Sequence, residues 1–586
     1  MITTPIAVDA VARVAAPVAA PATTTTATAI AHELQALGVE HFFLMTGRDN
    51  QLWIAMERLG IRQVLARSEA AAVYMADAYA RLRGRPTFVY GPYGPGAANV
   101  AGALAEPFWS GSPVVALTST MRRTERFRKE YQELDQPPLF ASVTKWGAEA
   151  SIPGHTPRLV REAARQAIGG APGPVYLGIP NDIFETELPD YHPPKIGEPM
   201  ETPLNRPAVT AADAEAVVRA LIGAERPIIV AGNGIHQSAA HDALRKVAER
   251  FGIPVATSNS GKGSIAETHD LAIGSVGRYS RKYVNAALRD ADLILAVGTG
   301  LGGMVTNSYQ LISPGTRLIH VSIDPGVVGL NFPTELGLVA DARTFLETVL
   351  DAAERMGTIA SAAATVHSTN LALERAAWRD VRADLSSHDG MDGGPMRPEA
   401  VMAVLDAQIA DDAVLVADTG YAAAWAGALS ESRQAGRNFV RADGSLGWAF
   451  PAALGAQLAA PDKQVICITG DGGFGYHIGD IETAIRVGLP IVVIVLNNQT
   501  LAFEEHVQDL LYGTVVPEVN SFHDVDYGKI ARAFGANGFR VTNAQQFGRA
   551  LAVGLKRRGP TIIDAVIDRQ AIAPVTRYDR VRIREL

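Results

Sequence analysis

The feature that most constrains this chain is a repeated alternation of short apolar runs with helical stretches. HFFLMTG (41–47), PTFVYGP (86–92), PVVALTS (113–119) and PVYLGIP (174–180) form a first group. RPIIVAGNG (226–234), DLILAVGTG (292–300) and RLIHVSID (317–324) form a second. DAVLVADTG (412–420), QVICITGDGG (464–473), PIVVIVLNN (490–498) and PTIIDAVID (560–568) form a third. Their near-continuous Val, Ile and Leu content marks strands buried on both faces. Strand then helix, repeated, requires parallel sheets with helices on either side. The expected fold class is therefore α/β, with three doubly wound parallel-sheet domains, the central one Rossmann-like. Two strand-poor stretches separate them: 191–210, rich in proline, and 361–395, which begins Ala-rich and leads into SSHDGMDGGPMRP. The expected order is a disordered tail (1–27), a first domain (28–190), a linker, a central domain (211–360), a second linker and a third domain (396–586). The last eleven residues, TRYDRVRIREL, form a C-terminal tail that can close over a site.

Composition narrows the function classes. At 47% hydrophobic and 19% charged the chain can bury a large core. Its net charge of −8 argues against broad nucleic-acid binding. One cysteine, Cys467, excludes a disulfide framework and a cysteine-built metal site. The opening stretch MITTPIAVDAVARVAAPVAAPATTTT lacks the basic start and long apolar run of a signal peptide. PIVVIVL (490–496) is too short to span a bilayer. A cytoplasmic enzyme with a small-molecule substrate, and with neither nucleic acid nor membrane as partner, is expected.

The strongest chemical signal follows QVICIT: Gly470-Asp471-Gly472-Gly473, a helical stretch, then strand PIVVIVL and Asn497-Asn498. Ligands of open parallel sheets bind beyond the carboxyl ends of strands. Asp471 and Asn498 both stand at such ends, one crossover apart. One carboxylate plus one amide oxygen is a sparse, hard donor set suited to Mg²⁺ that shares its coordination with a phosphate. The glycines let backbone N–H groups approach that phosphate at a helix start.

With these residues in place the chain resembles the thiamin-diphosphate-dependent decarboxylase and acetolactate-synthase family. The resemblance covers nearly everything after about residue 28 and implies the order pyrimidine-binding, central and diphosphate-binding domain. It implies Mg²⁺ held by Asp471, Asn498 and the Thr500 carbonyl, beside Gly470, Gly472 and Gly473. Glu69 precedes a helix containing ADAYAR (76–81), as the family's catalytic glutamate does. The match implies that Glu69 hydrogen-bonds N1′ of the aminopyrimidine and promotes the tautomer that deprotonates the thiazolium carbon. Family members often carry His before this Glu, where Ser68 stands. Gly94 and Asn99 match the G-P-G-x-x-N turn near the pyrimidine. Gly420 and Tyr421, in DTGYAAAW, and Gly444 and Leu446, in DGSLGWAFPAALGA, match cofactor-binding segments. Leu446 would bend the cofactor, or simply fill core. The resemblance further implies that the first domain of one subunit meets the third of another. A homodimer is then the minimum active unit, and a homotetramer is expected.

The reaction depends on groups above the thiazolium. Glu504 lies six residues past Asn498, where pyruvate-type decarboxylases and a branch of 2-hydroxyacyl-CoA lyases carry a catalytic Glu. Acetolactate synthases usually place an apolar residue there. A carboxylate at that point can shuttle a proton, or it can simply be a solvated helix start. Pyruvate decarboxylases carry a His pair in the loop that here reads TMRRTERFRKEYQELDQ (120–136), without histidine. They also carry Asp directly after the Gly of the first loop, where Arg48 follows Gly47 and Asp49 comes one step later. GTGLGGMVTN (298–307) replaces the arginine-bearing run of flavin-binding synthases, so FAD is not expected. QELDQ (132–136) resembles the synthase branch.

Basic residues Arg122, Arg123, Arg126, Arg128 and Lys129 crowd one loop, and Lys262, Arg278, Arg281 and Lys282 stand in the central domain. They fit either a phosphate-rich substrate, with ADP or CoA bound by the central domain, or a basic loop balanced by nearby acids. The substrate-side candidates are Gln132, Leu139, Lys262, Arg278 and Phe503. The first expectation is a lyase cleaving a short 2-hydroxyacyl-CoA to formyl-CoA and a carbonyl compound, with Glu69 and Glu504 catalytic. The alternative is an acetolactate-synthase-like carboligase or 2-oxo-acid decarboxylase.

Overall fold

A computed structural model describes residues 24–575. The C-terminal tail 576–586 and most of the N-terminal tail lie outside them. Thr26 and Ala27, expected within that tail, already belong to the helix Thr26–Ala36 and are fully buried.

Three six-stranded sheets carry the chain, and every strand pair in them is parallel. The first comprises β1 (His41–Leu44), β2 (Arg62–Leu65), β3 (Thr87–Gly91), β4 (Val114–Thr120), β5 (Trp146–Glu149) and β6 (Val175–Pro180), in the order β2-β1-β3-β4-β6-β5. The central sheet comprises β7 (Pro227–Ala231), β8 (Val255–Thr257), β9 (Ala272–Ser275), β10 (Leu293–Val297), β11 (Arg317–Ser322) and β12 (Leu336–Val339), in the order β12-β11-β10-β7-β8-β9. The third comprises β13 (Val414–Ala417), β14 (Phe439–Arg441), β15 (Val465–Gly470), β16 (Val492–Asn497), β17 (Asn537–Val541) and β18 (Thr561–Val566), in the order β14-β13-β15-β16-β18-β17. In each sheet the chain first moves outward and then returns to the other side of its starting strand. That reversal opens a crevice at the carboxyl ends: between β1 and β3, β7 and β10, and β13 and β15. The expected α/β class with three doubly wound sheets holds.

The span 361–395, expected as a linker, contains a 24-residue helix, Ala362–Leu385. Its Arg375 donates to the carbonyls of His269 and Ala272 beside β9, so this stretch is docked on the central domain. The span 191–210 has no regular secondary structure.

The first and third domains pack through two Ala-rich helices, Glu69–Arg83 and Ala449–Ala459. Small side chains let the backbones approach: a Cβ on Gly455 would stand 1.9 Å from the Met75 carbonyl oxygen. Polar ties flank this contact. The Arg67 N–H donates to Asp480 at 3.0 Å and Arg486 donates to the Leu65 carbonyl at 2.6 Å. Gly455→Ala must push the helices apart, and overpacking of this kind costs about 1–3 kcal/mol. A lowered denaturant midpoint relative to the parent protein checks it.

Candidate active site

β15 and β16 pair with Gly470 opposite Leu496. Asp471, opening the short helix Asp471–Gly475, thus lies beside the residues that leave β16. The two asparagines there divide their roles. Asn497 is buried and donates to Asp564 at 2.8 Å and to the Val525 carbonyl at 3.2 Å, which pins the strand end. Asn498 is left at the crevice, its side-chain oxygen accepting from the Thr500 N–H at 3.3 Å. Gln499 between them has φ of 60°. This left-handed conformation is uncommon outside glycine. Its N–H, with that of Gly472 at 3.0 Å, donates to the Asp471 carboxylate. Burial nevertheless pushes the Asp471 carboxyl up to about 6. Among the described residues no cationic side chain pairs with it, so a divalent cation would supply the missing stabilisation of its charged form.

Asp471 and Asn498 line a cavity of about 470 Å³ together with Gly420, Tyr421, Gly444, Leu446, Gly470, Gly472, Gly473, Thr500, Phe503, Glu504 and Arg278. The structure thus brings together the third-domain candidates and one central-domain arginine. The Tyr421 hydroxyl and His506 Nδ1 stand 2.9 Å apart, and Phe503 meets the Tyr421 ring edge-on at 5.4 Å between centroids. The two acids of the helix Ala502–Tyr512 face different ways. Glu505 is buried against Arg569, at 2.7 Å, and the Thr500 hydroxyl. Glu504 is exposed at the cavity wall.

The first-domain candidates form a separate cluster. Ser68 caps the helix Glu69–Arg83 by accepting from the Ala71 N–H at 3.1 Å, which gives Ser68 a structural role. Glu69 accepts from the Asn99 amide at 3.0 Å. Gly94 has φ of 72°, and a Cβ on it would stand 2.6 Å from the Gln132 carbonyl oxygen, so the turn excludes a side chain. None of Glu69, Gly94, Asn99 and Gln132 lines the 470 Å³ cavity of the same chain. Leu139 is on the surface, outside that cavity. Lys262 is fully buried, paired with Glu267 and donating to the Ser430 carbonyl at 2.9 Å, and it too lies outside the cavity. Much of the basic loop is balanced locally: Arg122 by Glu185 at 3.1 Å, Arg123 by Asp182 at 2.7 Å, and Arg126 by Glu149. Asp49 is buried against the Tyr90 hydroxyl, and burial pushes its carboxyl up to about 6.

Two carboxylates that support the cavity escaped sequence reasoning. Asp418 follows β13 and accepts from the Thr469 hydroxyl at 2.8 Å and the Gly447 N–H at 3.1 Å. It thereby ties the segments on either side of the crevice. Its place in DTGYAAAW was a usable signal. Glu106, from the first domain, accepts from the backbone N–H groups of Asp443 and of Ser445, the latter at 2.9 Å. It holds the loop that presents Gly444 and Leu446, and nothing in the sequence around it announces that.

The oxygen donors, the Gly-rich strand end and the cavity volume fit thiamin diphosphate with Mg²⁺. Ligand cavities span about 300–1,000 Å³. Asp471, Asn498 and the Thr500 carbonyl would hold the metal, and the backbone at 470–473 the diphosphate. Asp471→Ala is expected to weaken Mg²⁺-dependent thiamin diphosphate binding by about 100-fold. Quenching of the tryptophan fluorescence, to which Trp425 at the cavity wall contributes, measures it; unchanged affinity would remove Asp471 from the metal site.

Comparison with known proteins agrees with this geometry. Three family models match in order: the thiamine pyrophosphate enzyme N-terminal TPP binding domain over residues 24–139, the central domain over 214–349, and the C-terminal TPP binding domain over 418–565. An acetolactate synthase large subunit of Parasynechococcus marenigrum is 30% identical over 559 residues, covering 94% of this chain and 88% of its own length. A probable acetolactate synthase large subunit of Methanococcus aeolicus is 29% identical over 538 residues, covering 88% and 87%. Acetolactate synthase isozyme 3 large subunit of Escherichia coli is 27% identical over 509 residues, covering 85% and 86%. The chain therefore belongs to the thiamine pyrophosphate enzymes, in the acetolactate-synthase-like family.

Proposed function

We propose that this enzyme is a Mg²⁺-dependent carboligase of the acetolactate-synthase type acting on 2-oxo acids. The observation that carries the reading is the match to acetolactate synthase large subunits along 94% of the chain. It favours the carboligase over the acyl-CoA lyase that the sequence alone put first. Thiamin diphosphate supplies the carbon nucleophile when bound. The chain's own residues supply position and protons. Glu69 holds a proton at the aminopyrimidine nitrogen, and Asn99 orients its carboxylate. Asp471, Asn498 and the Thr500 carbonyl would hold the metal, and Leu446, which lines the same cavity, would pack against the bound cofactor. Tyr421 and Phe503, also in its lining, would exclude water.

The separation of Glu69 from the 470 Å³ cavity of its own chain supports a site completed by a second chain. Two exposed aromatic residues packed beside the glycines of this site, Tyr476 against Gly447 and Phe522 against Gly472, support the same reading. The minimum active unit is then a homodimer, and a homotetramer pairs two such units. A cavity of about 800 Å³ lies at the β7–β10 crevice and is lined by Gly234, Gly298, Gly300 and Asp324. Its place at the strand ends and its glycines support a nucleotide ligand such as ADP or CoA. No helix among the described residues is long and apolar enough to cross a membrane.

One observation favours the second reading, a lyase acting on a 2-hydroxyacyl-CoA: Glu504 stands at the cavity wall, where a proton shuttle would stand. Pyruvate, benzoylformate and 2-hydroxyisobutyryl-CoA, supplied in turn with product identification, separate the two. Carbon–carbon bond formation or CO₂ release from a 2-oxo acid supports the carboligase. Formyl-CoA from the thioester alone overturns it. In either case Glu504→Ala is expected to lower kcat by about 100-fold with cofactor affinity retained if Glu504 moves a proton. An unchanged kcat returns Glu504 to the solvated surface.

A further inference from the structure

A second cavity, of about 290 Å³, lies where the three domains meet. Its wall includes the last turn of the helix Glu69–Arg83, the segment around Thr202, His236 and His241 of the central domain, and Arg437 just before β14. Its cations are unequally compensated. Arg81 is paired with Asp77 and Glu106, Arg83 with Glu40 at 2.5 Å, and Arg206 with Asp341 at 3.2 Å. Glu201, the one acid on the wall, is paired with Arg85 at 3.0 Å. Arg437 makes no hydrogen bond or ion pair with any described residue. Burial, with repulsion from Arg81, outweighs the attraction of Asp77 and pushes its guanidinium down to about 9.

The histidines do not change that balance. His236 Nε2 stands 3.0 Å from the Lys262 carbonyl and so carries a hydrogen, leaving Nδ1 to accept from His241 Nε2 at 2.9 Å. Burial, with repulsion from Arg437, pushes His241 down to about 4, so it is neutral at pH 7. The carbonyls at the end of the helix Glu69–Arg83 offer about half a negative charge, less than the full charge of Arg437. A second feature is independent of charge. Thr202 is 7% exposed, and its buried hydroxyl has no hydrogen-bond partner. Buried polar groups are rarely left so.

We infer that this cavity binds a small oxyanion, a phosphate or a carboxylate, held by the Arg437 guanidinium and the Thr202 hydroxyl. Its volume lies at the low end for ligand sites and suits a small metabolite or a single phosphate group. It shares Ser110, Gly111 and Gln237 with the 800 Å³ cavity, but Arg437 lines only the smaller one of the two. The oxyanion is therefore either a free one or the phosphate of a molecule reaching across from that cavity.

Isothermal titration of the cofactor-saturated holoenzyme with inorganic phosphate, acetate and ADP, at ionic strength held constant with chloride, tests this. Phosphate or acetate is expected to bind the parent protein, with affinity about ten-fold or more lower in Arg437→Gln and largely restored in Arg437→Lys. ADP binding that falls in parallel assigns the oxyanion to a nucleotide, and ADP binding that is unaffected assigns it to a free anion. Binding of all three equally by the parent protein and Arg437→Gln overturns the inference. Arg437 also lines a neighbouring cavity of about 630 Å³ with Arg83 and Arg85, whereas Thr202 lines only the smaller one of the two. A loss in Arg437→Gln with no loss in Thr202→Val therefore places the anion in that neighbouring cavity and likewise overturns the inference. Should Arg437→Gln fail to fold, Thr202→Val removes one hydroxyl and makes the same comparison, with an expected loss of about three-fold. Equal affinity of the parent protein and Thr202→Val then overturns it.

Discussion

The buried charge of Arg81 organises the junction on which the cofactor site is built. Its guanidinium is shared between Asp77, on its own helix, and Glu106, at 3.2 Å, and it donates to the Arg441 carbonyl at 2.8 Å. It also lies 4.7 Å from the centroid of the Trp448 ring, whose N–H donates to Asp77 at 2.9 Å. Removing a cation from water costs several kcal/mol. Burial opposes the charge here, but Asp77, Glu106 and Asp443 outweigh it and hold Arg81 above its ordinary value. Every partner that offsets the burial is therefore fixed in position, and the partners come from both domains.

The consequence reaches the ligand. β14 ends at Arg441, whose carbonyl Arg81 holds, and the chain then passes Asp443 and Ser445, whose N–H groups Glu106 holds. Gly444 and Leu446 of that loop line the 470 Å³ cavity. From the opposite side Asp418 ties Gly447 to Thr469, two residues before Asp471. A chain of hydrogen bonds made by the Arg81, Glu106 and Asp418 side chains thus runs from a first-domain helix to the strand end that precedes Asp471. The same helix begins with Glu69. One helix therefore carries the carboxylate expected to act on the cofactor at one end and, three turns on, the cation that positions a loop of the cofactor cavity.

Much of this was legible because parallel strands buried on both faces must be continuously apolar, and because ligands gather at their carboxyl ends. GDGG and NN could be placed on strand ends from pattern alone, and they do converge. Short edge strands such as Trp146–Glu149 and Phe439–Arg441 gave no comparable run, since a strand with one neighbour needs less apolar surface. The fate of charged residues was least legible. Lys262 looked available to a phosphate but is buried on Glu267, and Arg123 and Arg126 are met by Asp182 and Glu149. Each pairing depends on a partner brought close only by folding. Glu106 was invisible for the same reason: its partners are backbone N–H groups more than 300 positions away. ADAYAR, by contrast, is legible as a family marker, and the buried Asp77–Arg81 ion pair gives the physical reason these residues stand together.

The central claim is that a first-domain carboxylate shapes the cofactor cavity of the third domain. The most direct measurement is thiamin diphosphate affinity in Glu106→Gln, read by calorimetry at saturating Mg²⁺. Gln retains one acceptor but loses the charge that binds Arg81 and both loop N–H groups together. An affinity about ten-fold weaker, with far-ultraviolet circular dichroism unchanged, is the predicted result. Full affinity in a folded Glu106→Gln protein would contradict the account, because the loop would then hold its place without the first domain.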